Sequence, residues 1–339
     1  MIYEYAVSPQ LVAHWAMHRI GRMVGQFGMD QRRLVADFPK DWKGEAYGAL
    51  LELCNFDYSS LEYQNASPTM DAYLQILGDT FVCRTTPQAR GDEWLPAALN
   101  EHAQRPFHAI LVEKATHDNP AVITPAVMED VRDVRWYLPT VSPSKKTAEE
   151  LVFTLAPLMV RARTVILVDP YFDSSEERFT SVLRLLLQVA VVNREEAIGM
   201  PKVVVMTGVE KAHSPRDGEF TEQQKRNVVN DLVNKARTHL PSVLPAGVEL
   251  EFVCLAHPIG GDPLHNRYLL TDVGGAVMPF GADARGTETT DDVQPMQKGI
   301  YQARWNQYAK RQNLSIVLAG EMILPRSAQQ PLAAAYGRR

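Results

Sequence analysis

Cysteine is scarce in this sequence. Its 339 residues hold three, Cys54, Cys83 and Cys254, odd in number, far apart and set among apolar neighbours. Three such residues build neither a disulfide framework nor, alone, a tetrahedral metal site, so reduced buried thiols and a cytoplasmic setting are expected. Long apolar runs are also missing: the longest, Leu185 to Val192, is broken by Gln188 and excludes a bilayer-spanning helix. The opening Met1-Ile-Tyr-Glu4 carries an acid where an export signal carries a base, so no export signal is expected. Internal repeats and low-complexity tracts are absent. A strong charge of either sign is lacking as well. The net charge is −5, and all of it resides in residues 1–145, with 13 Lys and Arg against 18 Asp and Glu; residues 146–339 hold 22 of each. The first half is thus not expected to grip a polyanion by bulk charge, and the second does so only through a local patch.

What is present is ordinary globular material, 45% apolar and 22% charged, with length for two domains. The expected class is α/β. A stretch from Tyr137 to Lys146, punctuated by two prolines and two serines, marks the break. Residues 1–140 then form an α+β domain of unassigned role, recognition or docking to a protein partner. Residues 147–325 form a mixed, mainly parallel sheet flanked by helices, and 326–339 a flexible tail.

In the first half, Ser8-Pro9 opens a helix that Gly28 closes, with Leu11, Trp15, Ile20, Met23, Val24 and Phe27 on one stripe. Ser67-Pro68 opens another. Thr80 to Arg84 and Phe107 to Val112 read as strands. His14 and His18, four apart, read as boundary positions of an amphipathic helix rather than a metal pair. In the second half, Thr147-Ala-Glu-Glu150 reads as a capping box. Strands at Thr164 to Asp169, Lys202 to Thr207 and Val248 to Cys254 alternate with helices at Glu176 to Val192 and Thr221 to Leu240. That alternation implies a parallel sheet, whose ligands bind beyond the carboxyl ends of strands. Asp169-Pro-Tyr171-Phe-Asp173 sits at one such end. Its acids and tyrosine either line a cleft or simply turn the chain into the next helix.

The segment from Leu264 to Asp283 reads as a hairpin, Leu264 to Thr271 running out, Asp272-Val-Gly-Gly275 turning, and Ala276 to Asp283 returning. His265 and Arg267 share a face, being two apart on a strand. A turn centred on Val273-Gly274 puts Ala282 or Asp283 opposite His265, where the Asp283 carboxylate orients the imidazole. Asp272, of opposite parity and seven residues on, caps the turn instead. An imidazole, a guanidinium and an acid together suit a phosphate ester: His265 attacks or protonates, Arg267 grips nonbridging oxygens, Asp283 fixes the tautomer.

His265-x-Arg267-x4-Asp272, followed by the small-residue stretch at Gly281-Ala282, resembles the His-x-Lys-x4-Asp signature of the phospholipase D superfamily, and Val165 to Tyr171 is similar to the strand that opens that family's fold. The resemblance covers residues 147 to about 320. It implies a histidine nucleophile at His265, a phosphohistidine, no metal and no other cofactor. This chain has Arg267 where the family has lysine, and Ala282 and Asp283 where the Ser/Asn pair follows. The His-x-Arg variant also resembles the phospholipase D-like C-terminal domain of MIT-domain proteins and its bacterial relatives, which implies binding without turnover. Only one signature is present, and His213 and His257 do not form a second. Since the chemistry needs a second histidine as leaving-group acid, activity implies a homodimer with both His265 residues across one cleft.

Two functions follow as expectations: a metal-independent phosphodiesterase, a nuclease, in a bacterial defence setting; or a module of the same fold that binds nucleic acid, a phosphorylated ligand or a partner protein without cleaving it. Arg304, Trp305, Lys310 and Arg311, with Tyr301 and Tyr308 among them, interleave cations and aromatics as a nucleic-acid face does, or form an amphipathic helix with its aromatics inward. Thr287 to Gln294 reads as an exposed mobile loop.

Overall fold

The computed structural model describes residues 1–78, 81–84, 93–114, 119–129, 132–138, 140–192, 199–209, 221–256, 266–312 and 317–325. His117, His213, His257, His265 and the 326–339 tail lie outside them. The chain divides into two compact units, Ile2–Pro139 and Thr140–Arg339.

In the N-terminal unit, β1 (Tyr3–Val7), β2 (Arg33–Asp37), β3 (Phe81–Cys83), β4 (Ala109–Leu111) and β5 (Val122–Ile123) make one sheet in the order β3-β2-β1-β4-β5, every pair parallel. The α+β expectation is thereby corrected to a wound α/β sheet; the short strands β1 and β2 carry too little periodicity to announce themselves. Its helices are α1 (Pro9–Met17), α2 (Gly21–Val24), α3 (Trp42–Leu53), α4 (Leu61–Gly78) and α5 (Trp94–Gln104). Alternation along each strand feeds two cores. Tyr5, Val7 and Val35 pack with Leu11, Trp15, Trp42, Leu50 and Leu74 on one face, while Ala6, Ala36 and Ile110 pack with Phe38, Trp94 and Phe107 on the other.

Two helix boundaries differ from the sequence reading. The helix from Pro9 stops at Met17, because Arg19 takes a left-handed conformation (φ 54°) and the N–H groups of Arg19 and Ile20 return to the carbonyls of Ala16 (3.2 Å) and Trp15 (2.8 Å). That is a Schellman closure, which normally announces itself by glycine. Pro68 lies inside α4 rather than at its start, since the buried stripe Ala66, Met70, Tyr73, Leu74 and Leu77 runs straight across it.

His108, beside β4, packs against the rings of Tyr3 (4.3 Å) and Tyr5 (5.3 Å). Burial pushes its pKa down to about 4, despite a backbone hydrogen bond at Val134 that acts the other way. Unfolding restores the ordinary value of 6.5, so the unfolded chain binds the extra proton in this window. His108 therefore supports the unit fully above pH 6.5 and loses that support as pH falls towards 4, by up to about 3 kcal/mol. Urea unfolding at stepped pH should show this acid slope in the wild type and a flatter one in His108→Gln.

The boundary between the units falls inside the expected break, and the second half of that stretch is β6 (Ser142–Lys146), a polar strand at the margin of the C-terminal sheet. There follow α6 (Ala148–Met159), β7 (Thr164–Val168), α7 (Glu177–Val191), β8 (Lys202–Gly208), α8 (Glu222–His239), β9 (Leu250–Leu255), β10 (Tyr268–Thr271), β11 (Gly274–Val277), β12 (Gly286–Pro295), α9 (Lys298–Tyr308) and β13 (Val317–Ile323). The sheet order is β13-β9-β8-β7-β10-β11-β12-β6. It is mixed, as expected, but parallel pairing is confined to β7-β8-β9, and the other neighbours are antiparallel. At Thr147 only the hydroxyl half of the capping box forms (3.3 Å to Glu150 N), whereas Thr221 and Gln224 make both halves. Residues 287–294, read as a mobile loop, belong to β12; Asp291 and Val293 point in and their neighbours out, a two-residue period hidden by polar composition. Among the described residues no helix is long and apolar enough to cross a membrane.

Candidate anion-binding site

β7 and β10 run antiparallel with Tyr268 opposite Val168, and the chain positions just beyond that pair are Arg267 and Asp169. The Arg267 Nε lies 3.7 Å from Asp169 Oδ1. The guanidinium rests over the Tyr171 ring, 4.7 Å from its centre, and donates to the Pro279 carbonyl. Asp169 is 1% exposed and accepts the N–H groups of Tyr171 and Ala282, each at 3.0 Å. Burial raises its pKa against the pull of those two donors and of Arg267. Gly281 takes a left-handed φ of 82°, which lets the backbone pass between Asp169 and Arg267.

Asp283 does not stand free to orient an imidazole. Its Oδ1 accepts from Lys146 Nζ, and its Oδ2 from Arg285 Nε (2.5 Å) and Arg178 (3.2 Å). Burial works to raise its pKa, but the hydrogen bonds and charges of Lys146 and Arg285 outweigh it and hold the carboxyl low. Lys146, wholly buried at the end of β6, also donates to the carbonyls of Phe280 (2.9 Å) and Gly281 (3.0 Å). The premise for pairing Asp283 with His265 is corrected as well. Thr271 pairs with Gly274, so the turn is Asp272-Val273 rather than Val273-Gly274, and β11 ends at Val277. His265 itself lies outside the described residues.

The remaining expected residues separate. Asp272 accepts the N–H groups of Arg163 (2.7 Å) and Thr164 (3.0 Å), tying the turn to the start of β7 and away from Arg267. Asp173 accepts from Ser175 N (2.8 Å) and Lys235 Nζ (2.9 Å), so it turns the chain towards α7 rather than joining Arg267. Sequence reasoning missed Lys146, Arg178 and Arg285. Arg285 stands two residues after Asp283, a spacing that places it beside the acid; Lys146 was hidden because it closes the stretch read as the break between domains. The outward faces of the cluster are guanidiniums, with Arg178 and Arg285 side chains 39% and 48% exposed, while the carboxylates beneath them are sealed. Glu176 takes another edge of Arg178, at 2.5 Å, and Arg267 is the more sheltered guanidinium, its side chain 21% exposed.

At the opposite end of β7 and β8, a cavity of about 390 Å³ opens beside α9. Trp305, Tyr308, Lys310 and Arg311 line it, with Lys202 and Glu251. Arg311 pairs with Glu251, and Trp305 stacks on Tyr301 at 5.8 Å. Arg304 turns elsewhere, over the Tyr268 ring and onto Gln307 (2.8 Å). Of the α9 aromatics Tyr301 and Tyr308 are buried, as in an inward-packed helix, while Trp305 stays partly exposed. Among the described residues no group of three or more His, Cys, Asp or Glu is arranged to hold a metal ion.

No family model matches the chain, and no curated protein matches it. Among solved structures it is similar, at 11% identity and a TM-score of 0.23, to TrmBL2, an archaeal chromatin protein with a novel mode of DNA binding; the alignment spans 79% of this chain and 81% of that one. A likeness at that level leaves fold and function to be argued from the chain's own residues.

Proposed function

We propose that the C-terminal unit is a phospholipase D-like domain that binds the phosphodiester backbone of a nucleic acid at the carboxyl end of β7, without turnover. One observation carries the reading: Arg178, Arg267 and Arg285 face outward from a base of sealed carboxylates, Asp169 and Asp283, that fix them in place. Guanidiniums so anchored lose little freedom on meeting a phosphate and grip it through paired N–H groups. The cavity at Trp305, at the far end of β7, supports an extended ligand such as a nucleic acid over an isolated phosphate, because an indole edged by Lys202 and Lys310, with Arg311 held by Glu251, suits a base and its backbone. Binding is favoured over hydrolysis because Asp283, the acid needed to orient His265, is already committed to three cations.

Fluorescence anisotropy with labelled single-stranded DNA and RNA, in EDTA, tests this. Arg267→Ala and Arg285→Ala should each weaken binding about five- to tenfold and lower the salt slope by about 1. His265→Ala should leave binding intact, and the strand should remain uncut. Cleavage by wild type, abolished in His265→Ala and accompanied by a dimeric mass in solution, would instead establish the phosphohistidine nuclease. Unchanged binding in both arginine variants would remove the assignment.

A further inference from the structure

The N-terminal sheet holds a second site of different chemistry, independent of the reading above. Its strand order, β3-β2-β1-β4-β5, reverses direction between β1 and β4. In open parallel sheets the connections leaving two such strands part to opposite faces, and a crevice opens beyond their carboxyl ends. Here Ser8 N, just past β1, donates to the Leu111 carbonyl at the end of β4 (2.9 Å), which holds the two strand ends side by side. A cavity of about 330 Å³ is lined by residues that follow these ends. Leu11 and Trp15 of α1 back the cavity but are sealed in the core; its accessible apolar lining is Ile20, after α1, with Pro125 and Ala126, beyond β5. At the mouth, His14 Nδ1 stands 3.5 Å from Glu113 Oε1, a pair that joins the segment after β1 to the segment after β4. Three independent features therefore coincide: the reversal of strand order, an open cavity, and a polar pair at its mouth.

The rim decides the ligand. A phosphate in such a crevice is held by free backbone N–H groups of a glycine-rich turn. This chain has Ser8-Pro9-Gln10 there, and Pro9 has no N–H to give. The charged groups at the rim are two carboxylates, Glu113 and Glu129, against one guanidinium, Arg22, which Glu129 already meets at 3.4 Å. We propose that this cavity binds a small uncharged or cationic planar ring carrying an amino donor. The ring lies between Ile20 and the Pro125-Ala126 wall, and its amino group donates to the Glu113 carboxylate beside His14. A nucleoside base and an aromatic amine both have this chemistry.

Calorimetric titration of the full chain with adenosine, tryptamine and adenosine monophosphate tests the proposal and separates the two sources. Saturable binding of adenosine, of tryptamine or of both is expected, with the monophosphate at least threefold weaker than adenosine because its charge meets the rim acids. Glu113→Gln should weaken the bound probe about tenfold, as loss of a charge-assisted hydrogen bond does. Ala126→Trp, at an exposed position, should fill the cavity and abolish binding while circular dichroism stays unchanged. Arg267→Ala, which weakens nucleic acid at the other unit, should leave adenosine and tryptamine unaffected, and the monophosphate is compared with adenosine in that variant so that phosphate held by the C-terminal arginines does not count. The proposal is overturned by failure of both adenosine and tryptamine to saturate by about 1 mM, by tighter binding of the monophosphate than of adenosine, or by wild-type affinity in both variants.

Discussion

Replacing Lys146 by methionine should destabilise the C-terminal unit by about 3 kcal/mol or more, the loss typical of breaking a buried ion pair from one side. The ammonium is wholly buried and serves three acceptors, Asp283 Oδ1 and the carbonyls of Phe280 and Gly281. Methionine fills the volume but leaves the carboxylate oxygen and both carbonyls without that donor. Arg178 and Arg285 still hold the other oxygen of Asp283, which keeps the expected loss near the lower end of the roughly 3–5 kcal/mol range for such deletions. Removing both partners separates pairing from packing. Lys146→Met with Asp283→Leu should recover much of the stability, since two apolar groups need no partner. It should not recover nucleic-acid binding, because Arg178 and Arg285 lose their anchor. Urea unfolding of the two single variants and the double variant measures the coupling. A Lys146→Met loss below about 0.5 kcal/mol, the range of ordinary surface changes, would show that the buried Lys146–Asp283 pair does not hold this unit together.

Gly281→Ala should be nearly as severe for a different reason. A Cβ at this position would overlap Asp169 Oδ2 and sit 2.7 Å from Arg267 Cδ, in a backbone conformation of φ 82° that alanine resists. Strain of this kind costs about 1–3 kcal/mol, and relieving the overlap requires Asp169 or Arg267 to move. Binding of single-stranded nucleic acid should therefore fall at least as far as in Arg267→Ala. Gly299→Ala is the control: nothing lies within 4 Å of its added methyl, and neither stability nor binding should change appreciably. Equal affinity in Gly281→Ala and wild type would mean that the close approach at Asp169 does not shape the site.

Much of the C-terminal architecture was legible because β7, β8 and β9 are continuous β-branched and apolar runs separated by helices with buried stripes. Arg267 and Asp169 were both legible as site residues, but not as neighbours. Their meeting depends on β10 pairing with β7 across about a hundred residues, and hydrophobic pattern fixes faces, not partners. The register behind the Asp283 assignment was missed because a turn displaced by one residue shifts every cross-strand pair beyond it by two. Lys146 and β12 escaped for a common reason. Both belong to the polar margin of the sheet, where proline, serine, threonine and aspartate read as loop although the backbone is paired. In the N-terminal unit the core aromatics were visible, yet the parallel winding was not, since β1 and β5 are short and their neighbours in space are distant in sequence.

The position of β6 bears on where this protein tolerates being divided. A cut just before Thr147, at the start of α6, would look harmless from the sequence, since it precedes a well-signalled helix cap. It would strip the margin strand from β12 and carry away the only ammonium facing Asp283 among the described residues. A fragment begun at Thr140 keeps both, so limited proteolysis of the native chain should spare the bonds from Ser142 to Lys146, and excised halves should be compared from that earlier start.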